Sequence, residues 1–174
     1  LNIRILILTI SFFSFTEIST IPKIEVHNTG KVYAQESLLF NKAVELIKRK
    51  EGWHDKRHKN YVGYGHKLLK GETFGHDISE EFADSILRRD LLQKCSVFRK
   101  YGRDSLLLGV LAYNVGEYNI LGHKNKPASR LIQKIRSRNR DFYDEYVSFC
   151  RYKNKVIPSI KQRRMEEFEL LYIK

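Results

Sequence analysis

The stretch from Lys50 to Lys67, KEGWHDKRHKNYVGYGHK, holds Glu51, His54, Asp55, His58, Tyr61 and His66 within eighteen positions. Neither a helix interior nor a buried strand has use for so many groups able to carry or bind protons. Glu51 sits beside Trp53 at the C-terminal end of a predicted helix, so an apolar ring and the negative pole of the helix dipole both disfavour its anion. Its pKa is expected to rise, and a carboxyl group kept partly protonated near neutral pH can protonate a leaving oxygen, as the general acid of glycoside hydrolysis does. The plainer use of Glu51 is an ion pair with Lys48, Lys50 or Lys56 on a solvated helix end. His54, His58 and His66 at these spacings suggest no metal site: the segment lacks helical periodicity, and no Glu lies between the first two as in zinc proteases. No cofactor is implied.

The elements that would position these groups are legible nearby. Before them, ESLLFNKAVELIKRK places Phe40, Ala43, Val44 and Ile47 at the i, i+3, i+4, i+7 spacing of a one-faced helix. Gly52 follows as its stop. Tyr61 to Leu69, with Lys70-Gly71 behind, suits a short hairpin in which Gly63 and Gly65 make tight turns. A second helix opens near Asp77 or Ser79 as N-cap and runs to Gly102. SLLLGVLAYNV, ending at Val115, is almost uncharged and predicts a buried central helix. Further helices are expected near 129–137, 141–151 and 159–172, with loops at GHKNKP and KNKVIP. The architecture is thus α+β and mainly helical, with one small early sheet and a groove between that sheet and the helical lobe.

The 174 residues suit one domain with a real core. A hydrophobic fraction of 42% and a mean hydropathy of -0.45 describe a soluble globular chain. A formal charge of +12 predicts attraction to polyanions, whether nucleic acid, acidic membrane or wall polymer. Arg4 before the apolar run 5–15 reads as the start of a signal peptide, with cleavage expected after Ala34 and an uncleaved anchor as the alternative. Removing residues 1–34 leaves a domain of +11 at residues 35–174. Cys95 and Cys150 allow either one disulfide or two buried thiols.

Three segments in order, the acid-Gly helix end followed by Gly-Tyr-Gly-His, AYNVG at 112–116 and IPSIKQRRMEEFEL at 157–170, resemble the phage-type lysozyme or endolysin family, glycoside hydrolase family 24. The resemblance spans Glu36 to Lys174 and implies a lysozyme-like fold with a substrate cleft between lobes. It implies a muramidase that cleaves the β-1,4 bond between N-acetylmuramic acid and N-acetylglucosamine; with the leader, the expectation is an exported monomer acting on the peptidoglycan glycan strand, with no nucleic-acid partner and no stable membrane insertion once its signal is cleaved. By position, Glu51 takes the catalytic glutamate's role. Asp55, eight positions before Gly63, takes that of the aspartate that orients water or steadies a cationic sugar. Tyr61 stands where the family has a threonine, and the Glu51–Asp55 link is shorter than the family's. Inversion needs about 6.5–9.5 Å between carboxyl groups. His54, His58 and Glu72 remain alternative bases, the histidines also being candidate substrate ligands. His66 is expected to bond across to the first helix and orient Glu51, or to touch substrate. Tyr113 and Asn114, with Tyr118 nearby, are expected to bind saccharide. Arg163 and Arg164 are expected on an exposed side, forming salt bridges. A lytic transglycosylase, an inactive wall-binding module and a nucleic-acid binder are the competing readings.

Overall fold

The computed structural model describes residues 26–174, with side chains from residue 36 onward. The apolar run 5–15 of the expected leader lies outside the described residues. Helix α1 spans Val26–Glu51, starting earlier than predicted and running unbroken past the Ala34–Gln35 bond at which cleavage is expected. Its predicted inner face is buried at Ala43, Val44 and Ile47. Gly52, at φ +66, stops the helix with its N–H on the Lys48 carbonyl, a left-handed conformation open to glycine at little cost.

A 3-10 turn at Lys56–His58 leads into the antiparallel hairpin of β1 (Tyr61–Val62) and β2 (His66–Lys67), in which Val62 pairs with His66. Gly63 has φ +56, and a Cβ there would lie 2.8 Å from that of Ala83. Close approach to the next helix, as well as the turn, therefore requires glycine at this position.

Helix α2 spans Glu80–Val97 and is capped by Ser79, whose Oγ accepts the Phe82 N–H. It stops short of the predicted end, and a 3-10 segment, Arg99–Asp104, carries the chain round Gly102 into α3, Ser105–Val115. Residues Leu107 through Ala112 of α3 are all buried, as the uncharged sequence predicts. The backbones of α2 and α3 touch where Gly109 meets Cys95: a Cβ on Gly109 would fall 2.5 Å from the Cys95 Sγ. Cys95 and Cys150 are free thiols.

Short helices follow, α4 (Glu117–Leu121), α5 (Arg130–Arg136) and α6 (Tyr143–Val147). The predicted helix over 141–151 is thus only a short turn of helix, and the predicted loop KNKVIP contains half of a second hairpin, β3 (Arg151–Tyr152) with β4 (Lys155–Val156). Lys153 and Asn154 both have positive φ, the requirement of a two-residue hairpin turn. The last helix, α7, spans Pro158–Leu171 and packs on α1, α3 and α6.

Candidate active site

Glu51 closes α1 where the first hairpin and α7 meet. Its Oε1 accepts a hydrogen bond from Arg163 Nη1 at 2.7 Å, and its Oε2 lies beside Gly65, 3.6 Å from where a Cβ would stand. The side chain is 19% exposed, neither sealed in the core nor standing out in bulk water. None of the three lysines offered as its partners is one: Lys48 pairs with Asp84, Lys50 with Glu166 and Lys56 with Asp77. Trp53 packs edge-on against Tyr64 at 5.5 Å, and the Glu51 carboxylate is paired with the Arg163 guanidinium.

Arg163 and Arg164, expected on an exposed side, are buried, and they do form salt bridges. Arg163 Nε donates to Glu167 Oε1 at 2.9 Å, and Arg164 Nη1 lies 3.0 Å from Glu167 Oε2. Tyr146 donates its hydroxyl to Glu167 Oε2 at 2.9 Å. Burial works against the Arg163 charge, but Glu51 and Glu167 more than offset it and raise its pKa. At Arg164 burial wins and lowers it. The burial of this network follows from the register of α7, because Arg163, Glu167 and Leu171 recur every four residues and share one inward face.

The hairpin is fixed from three sides. His54 N–H donates to the Gly63 carbonyl at 2.7 Å, the Tyr64 hydroxyl donates to Glu80 at 2.7 Å, and Tyr113 donates its hydroxyl to the Tyr64 carbonyl at 2.9 Å. Tyr113 thereby holds the hairpin, its hydroxyl committed to protein; burial first, then the Asp90 and Glu51 charges, push its pKa far up. His66 is 6% exposed, with Nδ1 on Asp90 at 2.5 Å and Nε2 on Glu72 at 2.8 Å. The expected bond from His66 to the end of α1 is therefore not made, because α2 and the segment after the hairpin supply carboxylates to both ring nitrogens. Those bonds also engage Glu72, a candidate base, whose other oxygen faces Arg89. Asp90 lies 24 residues from His66, and no local pattern in the sequence points to it.

Asp55 caps the 3-10 turn after α1. It accepts from the Arg57 N–H and guanidinium and lies 3.1 Å from His58 Nδ1. The Arg57 side chain, then the Arg57 backbone N–H, hold its carboxyl well below the usual range. The His54 ring lies 4.5 Å from that of His58 and 6.1 Å from that of Tyr61, and Tyr61 is 44% exposed. These three rings form one face beside Asp55. Asn114, at the end of α3, is exposed and accepts from Arg164 Nη2 at 2.9 Å. The structure thus joins Glu51 to Asn114 through Arg163, Glu167 and Arg164, a connection that the Arg-Arg-x-x-Glu pattern of α7 could have signalled.

This arrangement, a carboxylate ending the first long helix beside a small hairpin in a mainly helical chain, is a phage-type lysozyme-like α+β fold. Among solved structures, the muramidase domain of SpmX from Asticaccaulis excentricus superposes with a TM-score of 0.56 at 19% identity, covering 76% of this chain and 96% of that one. The active form of P1 phage endolysin Lyz superposes with a TM-score of 0.60 at 15% identity, covering 82% and 90%. At such identities the likeness concerns the fold. No protein-family model matches the chain, and no curated protein matches it.

Proposed function

We propose that this chain is an exported peptidoglycan hydrolase, a muramidase acting on the β-1,4 bond between N-acetylmuramic acid and N-acetylglucosamine, with Glu51 as general acid. The observation that carries this reading is the division of labour between the Glu51 oxygens. Arg163 takes Oε1 and leaves Oε2, beside the open backbone of Gly65, as the oxygen that meets a glycosidic oxygen. Protonation of that oxygen breaks the bond to the sugar, and positive charge grows on the ring. Asp55 stays anionic to counter that charge or to orient the water that adds to the ring carbon. The exposed Tyr61 and His58 rings, with the part-buried His54 ring beside them, offer a stacking and hydrogen-bonding face to the saccharide, and Asn114 an amide. The two superposed structures, a muramidase domain and an endolysin, support the same reading. The leader at residues 1–34 fits export to the wall, where a monomer meets the glycan strand. Among the described residues, no helix is long and apolar enough to cross a membrane.

Clearance of a peptidoglycan suspension tests the assignment. Glu51→Gln is expected to clear about 10²–10⁴-fold more slowly than wild type, the range for loss of a general acid. Equal clearance rejects Glu51 as the donor.

A second reading is favoured by one observation: Asp55 is bonded to Arg57 and His58 on a short turn, which leaves Glu51 as the better placed acid. A lytic transglycosylase works with a single acid and releases an anhydro sugar. New reducing ends among the products identify the hydrolase, and anhydro ends the transglycosylase.

A further inference from the structure

The far ends of α3 and α7 carry features that sugar hydrolysis does not use. An open cavity of about 730 Å³ lies against the 3-10 segment before α3 and the chain after α5. Lys100, Arg103, Arg136, Arg138 and Arg140 line it, against one acid, Asp104. That acid is already spent, because Arg140 grips it with both terminal nitrogens, at 2.5 and 3.0 Å. Arg140 is also fixed between the Phe142 and Tyr172 rings, 5.0 and 4.8 Å from its guanidinium carbon. Among the described residues, Lys100, Arg136 and Arg138 form no salt bridge, while Arg103 donates from Nη1 to the Lys174 carbonyl. The Tyr101 hydroxyl, on the same wall, is buried without a hydrogen-bond partner. Such a wall suits an anion with several acceptor oxygens, above all a phosphate, which guanidinium forks match in geometry.

A second open cavity, of about 630 Å³, adjoins the first and shares Gly102 and Arg103 with it. Leu39, Phe40, Leu92, Leu106 and Ile173 make it mainly apolar, beside Cys95 and one acid, Glu36, and Leu92 is 57% exposed. The saddle between the cavities is Gly102, where an added Cβ would meet nothing within 4 Å. A phosphate site opening across a bare backbone saddle into an apolar groove has the polarity of an amphiphile. A sugar polymer or a nucleic acid has no use for the groove.

We propose that this end of the molecule binds an anionic phospholipid, its headgroup phosphate among Arg136, Arg138 and Lys100 and an acyl chain in the groove lined by Leu92 and Phe40. Asp104 and Asn114 lie at opposite ends of α3, which at 1.5 Å per residue puts the lipid site about 15 Å from the groups around Glu51. Lipid binding and sugar hydrolysis therefore occupy separate surfaces of the same chain.

Titration of the full chain with lipids below their micellar concentration, followed by amide chemical shifts, tests the proposal. Dihexanoylphosphatidylglycerol is expected to shift the amides of residues 100–106 and 136–140 and to bind at least tenfold more tightly than dihexanoylphosphatidylcholine or glycerol 3-phosphate. Arg136→Glu with Arg138→Glu is expected to weaken it tenfold or more, and Leu92→Ser severalfold, both clearing peptidoglycan at the wild-type rate. Equal affinity for phosphatidylcholine removes the role of charge, and equal affinity for glycerol 3-phosphate reduces the site to a bare anion pocket; either overturns the proposal. So does the absence of any shift, as expected of a groove filled by the chain's own residues or by a second copy. A short DNA duplex that shifts the same amides more strongly than the lipid, or variants that bind like wild type, overturns it too.

Discussion

Glu51 has one oxygen committed to Arg163 and one beside Gly65, so the residue facing that second oxygen matters as much as the acid itself. Gly65 sits at φ +90, and a methyl group there would both strain the turn and occupy the space next to Oε2. Gly65→Ala is expected to cost about 1–3 kcal/mol in stability, read by thermal unfolding. It should also slow clearance at saturating substrate. Asp55 is a depressed carboxylate, so it gives up its charge only when the pH falls through its lowered folded value, below the ordinary range for aspartate. The acid limb of the pH profile of clearance is therefore expected to stay in place in Asp55→Asn while the rate falls; a limb that vanishes with Asp55 would show that this carboxyl titrates there. Glu51, Asp55 and the aromatic run were legible in the sequence because they lie within eleven positions of one another. Asp90 was not, and Arg163 was legible as a salt-bridging residue but not as the partner of Glu51, since each reaches the site from a different helix and only the packed chain brings it there.

At the scale of elements, α7 is what joins the hairpin end of the molecule to its core. Glu167 is buried and bonded to Arg163, and it also faces Arg164 and Tyr146. Removing one member of a buried ionic set strands the others without compensation, which typically costs about 3–5 kcal/mol. Glu167→Ala is expected to lose stability on that scale in chemical denaturation, and a loss below about 1 kcal/mol would mean that Arg163 and Arg164 find other partners. The long elements were readable from separate signals: α1 from its apolar periodicity, α2 from its capping Ser79, and α3 from its uncharged run. The short ones were not: α6 is one turn long, and β3–β4 is two residues a strand, with its signal held in the positive φ of Lys153 and Asn154.

For the whole molecule, the +12 charge predicts a salt-dependent encounter with an anionic wall. Raising salt from about 0.01 to 1 M shortens the Debye length from about 30 to about 3 Å. The KM for peptidoglycan is expected to rise over that range while kcat holds, and a fall confined to kcat would locate the charge effect at the site instead. The contact between Gly109 and Cys95 bears on how that thiol reacts. Because the backbones of α2 and α3 meet there, the thiol is shielded by a neighbouring helix, and burial pushes its pKa up to about 11. Cys95 is nonetheless only part-buried and lines the apolar groove, so an alkylating reagent enters from that side, and the rate at which the thiol is trapped is expected to fall when a ligand fills the groove.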